Sequence, residues 1–322
     1  MYLSEKRQTM RYLYLLALAT LLACSTPEPE ETTSDDLPNI VYILADDMGY
    51  GDLGAYNPDS KIPTPKLNQF AAQGMRFTDA HTPSSVCTPT RYGVLTGRYC
   101  WRSPLERGVS WGYGRTLIDT NRVTVADLLQ QQGYHTAVVG KWHLGLNWGL
   151  PGTEAEALAD EDTQKNENGL ITHMHPDDLD FTQAVTGGPL TLGFDYSFIL
   201  PASLDIPPYV YLENDELLDM PIDSTKGSDL NTGATAAFWR PGPIMPGFAF
   251  EQVLPTFVEK AQNYIEQQAQ REQPFFLYLP LAAPHTPWVP TVEYQDTSAA
   301  GQYGDFVAMV DAYVGRVLQT LD

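Results

Sequence analysis

The hydrophobic pattern of the chain alternates between short unbroken apolar runs and longer stretches of helical period. Residues 37–44 (LPNIVYIL) form a continuous apolar, β-branched run of the kind found in buried strands, and 274–279 reads as another; 75–81, 135–139 and 192–198 are more mixed but also read as strands. Between them, apolar residues recur at helical spacing. Thr64-Pro65 opens one helix as cap and first-turn proline, with Leu67, Phe70 and Ala71 on one face and Gly74 at its end. Thr124 caps another, with Val125, Leu128 and Leu129 apolar and Gly133 closing it. Leu254, Phe257, Val258, Ala261, Tyr264 and Ile265 mark a helix over 251–270. Phe306, Val310, Tyr313, Val314, Val317 and Leu321 mark one over 305–321. Strands and helices in alternation predict an α/β fold.

The first 36 residues stand outside this pattern. Lys6, Arg7 and Arg11 flank the start of an apolar run, Tyr12 to Ala23, that is too short to span a bilayer, so residues 1–24 read as a signal peptide. Leu21-Leu22-Ala23-Cys24 resembles the lipobox of bacterial lipoproteins, with Cys24 the lipidated residue; ordinary signal-peptidase cleavage beside a stray cysteine is the alternative. Residues 25–36 (STPEPEETTSDD) read as an acidic, disordered tether. The expectation is an exported lipoprotein of the periplasm or outer-membrane surface, touching the membrane through its lipid anchor only.

Composition narrows the partners. The chain has 322 residues, long enough for one large core over 37–322. Acidic residues outnumber basic ones 40 to 19, for a formal net charge of −21. That balance argues against nucleic acid, which needs a basic surface. It also means that an anionic substrate has to be drawn in by local cations.

Several predicted strands end on residues with chemistry. The first stops at Asp46-Asp47, adjacent carboxylates whose repulsion a hard divalent cation would relieve; a plain loop start is the other reading. The 75–81 run leads to Cys87-Thr88-Pro89-Thr90-Arg91. There Pro89 suits a first helical turn, Thr88 or Cys87 suits the cap, and Arg91 follows one turn later on the same side. A sulfur at a helix N-terminus beside an arginine suits attack on an anionic ester. A buried structural cysteine is the alternative. The 135–139 run leads to Lys141 and His143, which point the same way if the strand continues; a surface strand end is the alternative. Ser203 and Asp205 follow the 192–198 run, and His285 follows the last strand, a good position for leaving-group chemistry. For Ser203, a turn serine without function is an equal reading. Tyr99–Arg102 and Trp111–Tyr113 are expected to pack around the cysteine helix, and the Pro/Gly-rich 221–250 stretch to line a pocket. Residues 151–190, with Glu154, Glu156, Asp160, Glu161 and Asp162, read as a solvated insertion carrying His173 and His175 at its surface.

Four of these stretches together resemble the type I, formylglycine-dependent sulfatases of the alkaline phosphatase superfamily. They are C-T-P-T-R with L-T-G-R (87–98), P-N-I-V-x-I-L-A-D-D-x-G-x-G-D-x-G (38–54), G-K-W-H-L-G (140–145) and A-P-H-x-P (283–287). The resemblance implies a three-layer α/β/α sandwich around a central, mostly parallel sheet of the alkaline phosphatase-like type. It implies that a formylglycine-generating maturase oxidises Cys87, whose hydrated aldehyde is the nucleophile. Asp46, Asp47 and residue 87 would bind calcium, with magnesium the alternative ion. Arg91 would activate the nucleophile, Lys141 would bind sulfate, His143 would contact the formylglycine, and His285 would approach the bridging ester oxygen. Ser203 sits where some members place a sulfate-touching serine in G-x-P-x-S, although Ile199 replaces that glycine. Asp205 would read the substrate. With Cys24 lipidated and Cys87 oxidised, Cys100 alone remains of three cysteines and no disulfide is required; a Cys87–Cys100 bridge is the competing arrangement.

The implied activity is hydrolysis of a sulfate ester on a carbohydrate, a sulfated glycan, or an aryl group. A phosphonate or phosphate ester hydrolase of the same superfamily is the rival enzyme, and a lipid-anchored glycan-binding protein without turnover is the rival outside catalysis. Family members continue past the last helix into a strand ending S-D-N-G that completes the calcium site, followed by a further lysine and a smaller subdomain. The sequence stops at Asp322. The expectation is therefore that the C-terminal part is missing, that one strand edge is left unpaired, and that this chain binds metal weakly and turns over slowly if at all.

Overall fold

A computed structural model of the protein describes residues 37–150, 164–165, 171–173, 176–228 and 237–322. The signal peptide, Cys24, the tether, the acidic cluster of 154–162 and His175 lie outside the described residues. Residues 38–322 form one unit. Its main sheet uses strands β1 (Ile40–Leu44), β2 (His135–Lys141), β3 (Tyr196–Leu200), β4 (Leu212–Glu213), β5 (Glu216–Leu217) and β6 (Phe275–Pro280). Its α-helices are α1 (Pro65–Gln73), α2 (Cys87–Thr96), α3 (Val125–Gln131), α4 (Val253–Gln268) and α5 (Gly301–Leu321).

The spatial order of the sheet is β1-β6-β2-β3-β4-β5. The four long strands are parallel neighbours, and β4 and β5 add an antiparallel hairpin at the far edge. β6, the last strand in the chain, inserts between β1 and β2, so sheet formation depends on contacts more than 130 residues apart in sequence (His135 opposite Phe275). Central β6 is buried along its whole length, which is why its sequence is apolar without alternation. Alternation is still present in where its side chains go. Phe275, Leu277 and Leu279 join Ala137 and Val139 of β2 and Phe198 and Leu200 of β3 in one core. Leu254, Phe257, Val258 and Ala261 of α4 and Phe306, Met309, Val310 and Tyr313 of α5 close that core. On β6's other alternation, Phe276 stacks on Phe194, which meets Trp142 edge-on. The α/β class with a mostly parallel sheet is the one the apolar runs predict.

Some of the sequence expectations are not met. Residues 75–81 form no strand; Met75 and Phe77 are 80% and 63% exposed, and β1, the sheet edge, pairs only with β6. Thr64 is the cap and Pro65 opens α1 as the sequence predicts, but the Thr64 hydroxyl makes no capping bond. The α1 donors are met instead by Asp311 of α5, whose carboxylate accepts from Lys66 N and Leu67 N at 3.1 and 2.8 Å. Phe70 and Leu128, read as helix-face residues, are each 52% exposed. Among the described residues Cys87 and Cys100 are both free thiols, so the bridge between them is not formed; Cys100 Sγ instead faces Ser103 Oγ and the Leu105 carbonyl.

Gly140, one residue before the end of β2, combines a φ of +143° with a tight approach: a Cβ placed there would lie 2.1 Å from the Pro280 carbonyl oxygen of β6. Neither backbone can give way without disturbing the strand ends. Gly140→Ala is expected to destabilise the protein by about 2–4 kcal/mol, from unfavourable φ plus overpacking. Urea unfolding followed by circular dichroism measures it, and a loss below about 0.5 kcal/mol would show that the strands accommodate a methyl group.

Candidate active site

The C-terminal ends of all four parallel strands open on one spot, the usual position for a site in an open α/β sheet. β1 leads to Asp46 and Asp47, β2 ends on Lys141 and leads to His143, β3 leads to Ser203 and Asp205, and β6 leads to His285. The fifth contributor is α2, which begins with Cys87. Its cap is Val86, with Thr90 N donating to Val86 O at 3.0 Å, so Cys87 occupies the first helical position and Pro89 the third. The sequence reading of Thr88 or Cys87 as cap is thus off by one or two residues, while Cys87 still sits at the positive helix end.

Asp46 is the centre of the charge cluster. Its carboxylate is buried, pairs with the Lys141 ammonium and lies 3.2 Å from the Arg91 guanidinium. Burial alone would raise its pKa, but the Lys141 and Arg91 charges outweigh that and hold the acid well below the usual carboxylate range. Arg91, 1% exposed, also donates to the Lys141 carbonyl at 2.6 Å and the Leu281 carbonyl at 3.1 Å. Lys141 Nζ donates as well to Ser203 Oγ at 3.0 Å.

β2 ends at Lys141, and His143 adopts φ +55°, so the two side chains are not related by strand alternation as the sequence suggested. The backbone turn sends the imidazole to the Ser110 carbonyl instead, 2.8 Å from Nε2. A carbonyl only accepts, so Nε2 carries the proton. Nδ1 is buried without a partner and presents a lone pair. Burial, reinforced by Lys141 and Arg91, lowers the His143 pKa well below its ordinary value and keeps the ring neutral. Thr88 locks the arrangement: its hydroxyl donates to His143 O at 2.8 Å and accepts from Ser110 N at 3.1 Å. Thr88, read from sequence only as a possible cap, and Ser110, not singled out at all, both serve to hold the His143 loop. Thr88 had a signal, as the residue beside Cys87 in the helix's first turn; Ser110 had none.

His285 Nδ1 donates to the Thr286 carbonyl at 2.7 Å and lies 3.4 Å from Ser203 Oγ, while Nε2 is 3.7 Å from Asp47 Oδ2. Burial and the Lys141 charge oppose its protonation, but Cys87 and the Asp46 carboxylate outweigh them and raise its pKa. Asp205 lies at the margin, its Oδ1 4.0 Å from His285 Nδ1 and its Oδ2 paired with Arg240. Arg240 is packed between Trp111 and Phe238, at 5.1 and 5.0 Å from the ring centres. Of the 221–250 stretch, Arg240 therefore borders the site, through a partner 35 residues away in the chain.

Asp46, Asp47 and Cys87 each offer one ligand atom, and these lie within 4.8 Å of one another. Two carboxylates suit a hard divalent cation, whereas a thiol does not; an oxygen at position 87 would. With an oxygen at position 87, the three donors would supply part of a shell that calcium needs to fill with about six to eight oxygens.

The fold and the site define an α/β protein of the alkaline phosphatase-like class, with cationic side chains gathered at a helix N-terminus. The chain belongs to the sulfatase family, whose model matches residues 38–322. It is 31% identical to an N-acetylgalactosamine-6-O-sulfatase of Bacteroides thetaiotaomicron, an alignment covering 98% of this chain and 62% of that protein. It is 32% identical to arylsulfatase A of Homo sapiens, covering 95% of this chain and 51% of that one. A solved structure from work on the metabolism of multiple glycosaminoglycans by Bacteroides thetaiotaomicron superposes with a TM-score of 0.70 at 32% identity, over 88% of this chain and 59% of that one. A Pseudoalteromonas sulfatase structure shares the fold at 21% identity, with a TM-score of 0.59 over 88% of this chain and 52% of that one. The chain thus spans between half and two-thirds of the length of these relatives.

The neutral, buried His143 gives a pH test. The unfolded chain takes up a proton near pH 6.5 that the folded site refuses, so this group lowers stability as pH falls. Relative to His143→Gln, the wild-type unfolding free energy is expected to fall below about pH 6.5, with a slope approaching about 1.4 kcal/mol per pH unit. Denaturation at pH 5 to 8 checks it, and parallel pH profiles for the two proteins would contradict it.

Proposed function

We propose that this protein hydrolyses sulfate esters of carbohydrates, with residue 87 as nucleophile in its oxidised, formylglycine form. The observation that carries the reading is the convergence of Arg91, Lys141, His143, Ser203 and His285 on the helix end that bears Cys87. The names of two relatives, an N-acetylgalactosamine-6-O-sulfatase and an arylsulfatase, support sulfate as the leaving anion. Oxidation by a formylglycine-generating maturase would give residue 87 a hydrated aldehyde, whose hydroxyl oxygen suits both attack on sulfur and the metal position. Calcium held by Asp46, Asp47 and residue 87 would supply positive charge beside the nucleophile.

The chain's own groups divide the remaining work. Lys141 and Ser203 face the anion as donors, and Arg91 holds the Asp46 and strand-end geometry that places them. His143, a neutral acceptor at Nδ1, is placed to take a proton from a hydroxyl on residue 87. His285, with Nδ1 tied to the Thr286 carbonyl, presents Nε2 to the departing alcohol as its proton donor. Asp205 and Arg240 border the alcohol side. We also infer export as a lipoprotein held by Cys24, on the pattern of residues 1–36.

Three measurements test the reading on protein whose residue 87 no longer alkylates with iodoacetamide. A 6-sulfated N-acetylgalactosamine and 4-nitrophenyl sulfate should be hydrolysed in preference to bis(4-nitrophenyl) phosphate. Cys87→Ala should lower kcat by about 10³-fold or more, as loss of a nucleophile does. Chelation of divalent cations should lower the rate reversibly. A phosphate diester preferred by orders of magnitude, or full activity with alanine at 87, would reject the assignment.

A further inference from the structure

The stretch from Cys87 to Arg115 is a basic island in an acidic protein. It contains Arg91, Arg98, Arg102, Arg107 and Arg115 against the single acid Glu106, while the whole chain carries a net charge of −21. Arg91 belongs to the buried site, but Arg102 and Arg107 are exposed and Arg98 is half-buried. Beside them, just past the end of α2, stand two large aromatic residues in solvent: Tyr99 is 54% and Trp101 62% exposed. Their rings stack at 5.8 Å with an interplanar angle of 15°, and Arg102 lies 5.8 Å from the Trp101 ring centre. The short helical turn Cys100–Arg102 holds this pair, anchored by buried Cys100 and by Leu105, which is 2% exposed. Exposed, mutually stacked rings of this size are costly in water without a ligand.

We propose that Tyr99, Trp101 and the surrounding arginines form a second binding site, outside the catalytic pocket, for a sulfated polysaccharide chain. The chemistry is specific on both counts. A pyranose ring offers an apolar face to a flat aromatic pair, and a tetrahedral sulfate offers oxygens that a guanidinium can bind two at a time. The location suits a polymer: the ten residues of α2 separate the platform from Cys87 by about 15 Å along the helix axis, at 1.5 Å per residue. A chain held there raises its own concentration near the pocket, which offsets the repulsion that a −21 protein exerts on a polyanion. The proposal rests on the sulfate-ester reading for its choice of ligand, and its test is a binding measurement that needs no turnover.

Chondroitin 6-sulfate chains are titrated into the wild-type chain and into Trp101→Ala, Tyr99→Phe and Arg102→Gln/Arg107→Gln, with Trp fluorescence and calorimetry as readouts. A sulfated monosaccharide and unsulfated chondroitin serve as comparison ligands. Saturable binding of the sulfated polymer is expected in the wild type, with affinity about tenfold or more lower in Trp101→Ala. The double arginine variant should have a weaker salt dependence, and Tyr99→Phe, which keeps the stack, should bind like wild type. Matching circular dichroism and melting curves show that the variants are folded. Absent polymer binding in the wild type, equal affinity in Trp101→Ala, or equal binding of unsulfated chondroitin would each overturn the proposal. Polymer binding that depends on Trp101 in a protein that never releases sulfate would leave the platform standing and reject the hydrolase reading. Sulfate release with Trp101-independent binding would do the reverse.

Discussion

The buried carboxylate of Asp46 is the contact on which the arrangement of the strand ends depends. Its charge sits between Lys141 and Arg91, two cations that burial would otherwise make intolerable. Through Lys141 it ties the end of β1 to the end of β2, and through Arg91 it ties both to α2. Arg91 extends the tie by bonding the carbonyls of Lys141 and Leu281, while Asp46 N donates to Ala283 O at 3.0 Å. One acid therefore sets the spacing of three strand ends and of the helix that presents residue 87. Substituting it by an apolar residue would strand two positive charges in the interior, so its place in the fold and its place beside the nucleophile cannot be separated.

How much of this was legible in sequence follows from what each residue answers to. Asp46, Lys141 and His285 were readable because apolar runs announce buried strands, and polar residues at the C-terminal ends of such runs have few other reasons to be there. Cys87 and Arg91 were readable because Pro89 implies a helix start. Boundaries near them shifted where backbone geometry overrode local preference: Val86 caps α2, and Asp311 serves α1 from 245 residues away. Residues 75–81 were misread because a few large apolar side chains cannot tell a strand from an exposed connection; Met75 and Phe77 lie in solvent, and the outer edge of β1 is left without a partner among the described residues. Ser110 was invisible because it acts through its backbone carbonyl, and Arg240 was read only as part of a pocket-lining stretch because its partner Asp205 is distant in the chain.

Those two residues illustrate how the site divides its construction. Side chains with reactive atoms come from strand ends and carry motifs. The groups that fix their tautomers are main-chain carbonyls: Ser110 O for His143 and Thr286 O for His285. The two imidazoles are consequently different acids. His143 points its proton away from the cluster and keeps a lone pair inside, where Lys141 and Arg91 disfavour a further charge. His285 ties up Nδ1 and turns Nε2 toward Asp47, and the Cys87 side chain with the Asp46 carboxylate raises its pKa. The two imidazoles thus differ in tautomer and in the direction of their shifts although they face the same cluster.

Charge at larger scale obeys the same logic. An acidic protein that handles anions must concentrate its cations, and here they gather along one segment. The helix that starts at Cys87 places Arg91 in the pocket, and its continuation places Arg98, Arg102 and Arg107 toward solvent. Screening confines each of these charges to a range of about 8–10 Å at physiological salt. A spacing of about 15 Å along α2 therefore makes the pocket and the exposed arginines electrostatically separate. An anion small enough to fill the pocket feels Arg91 and Lys141 alone, whereas only an extended polyanion can feel both groups of cations at once.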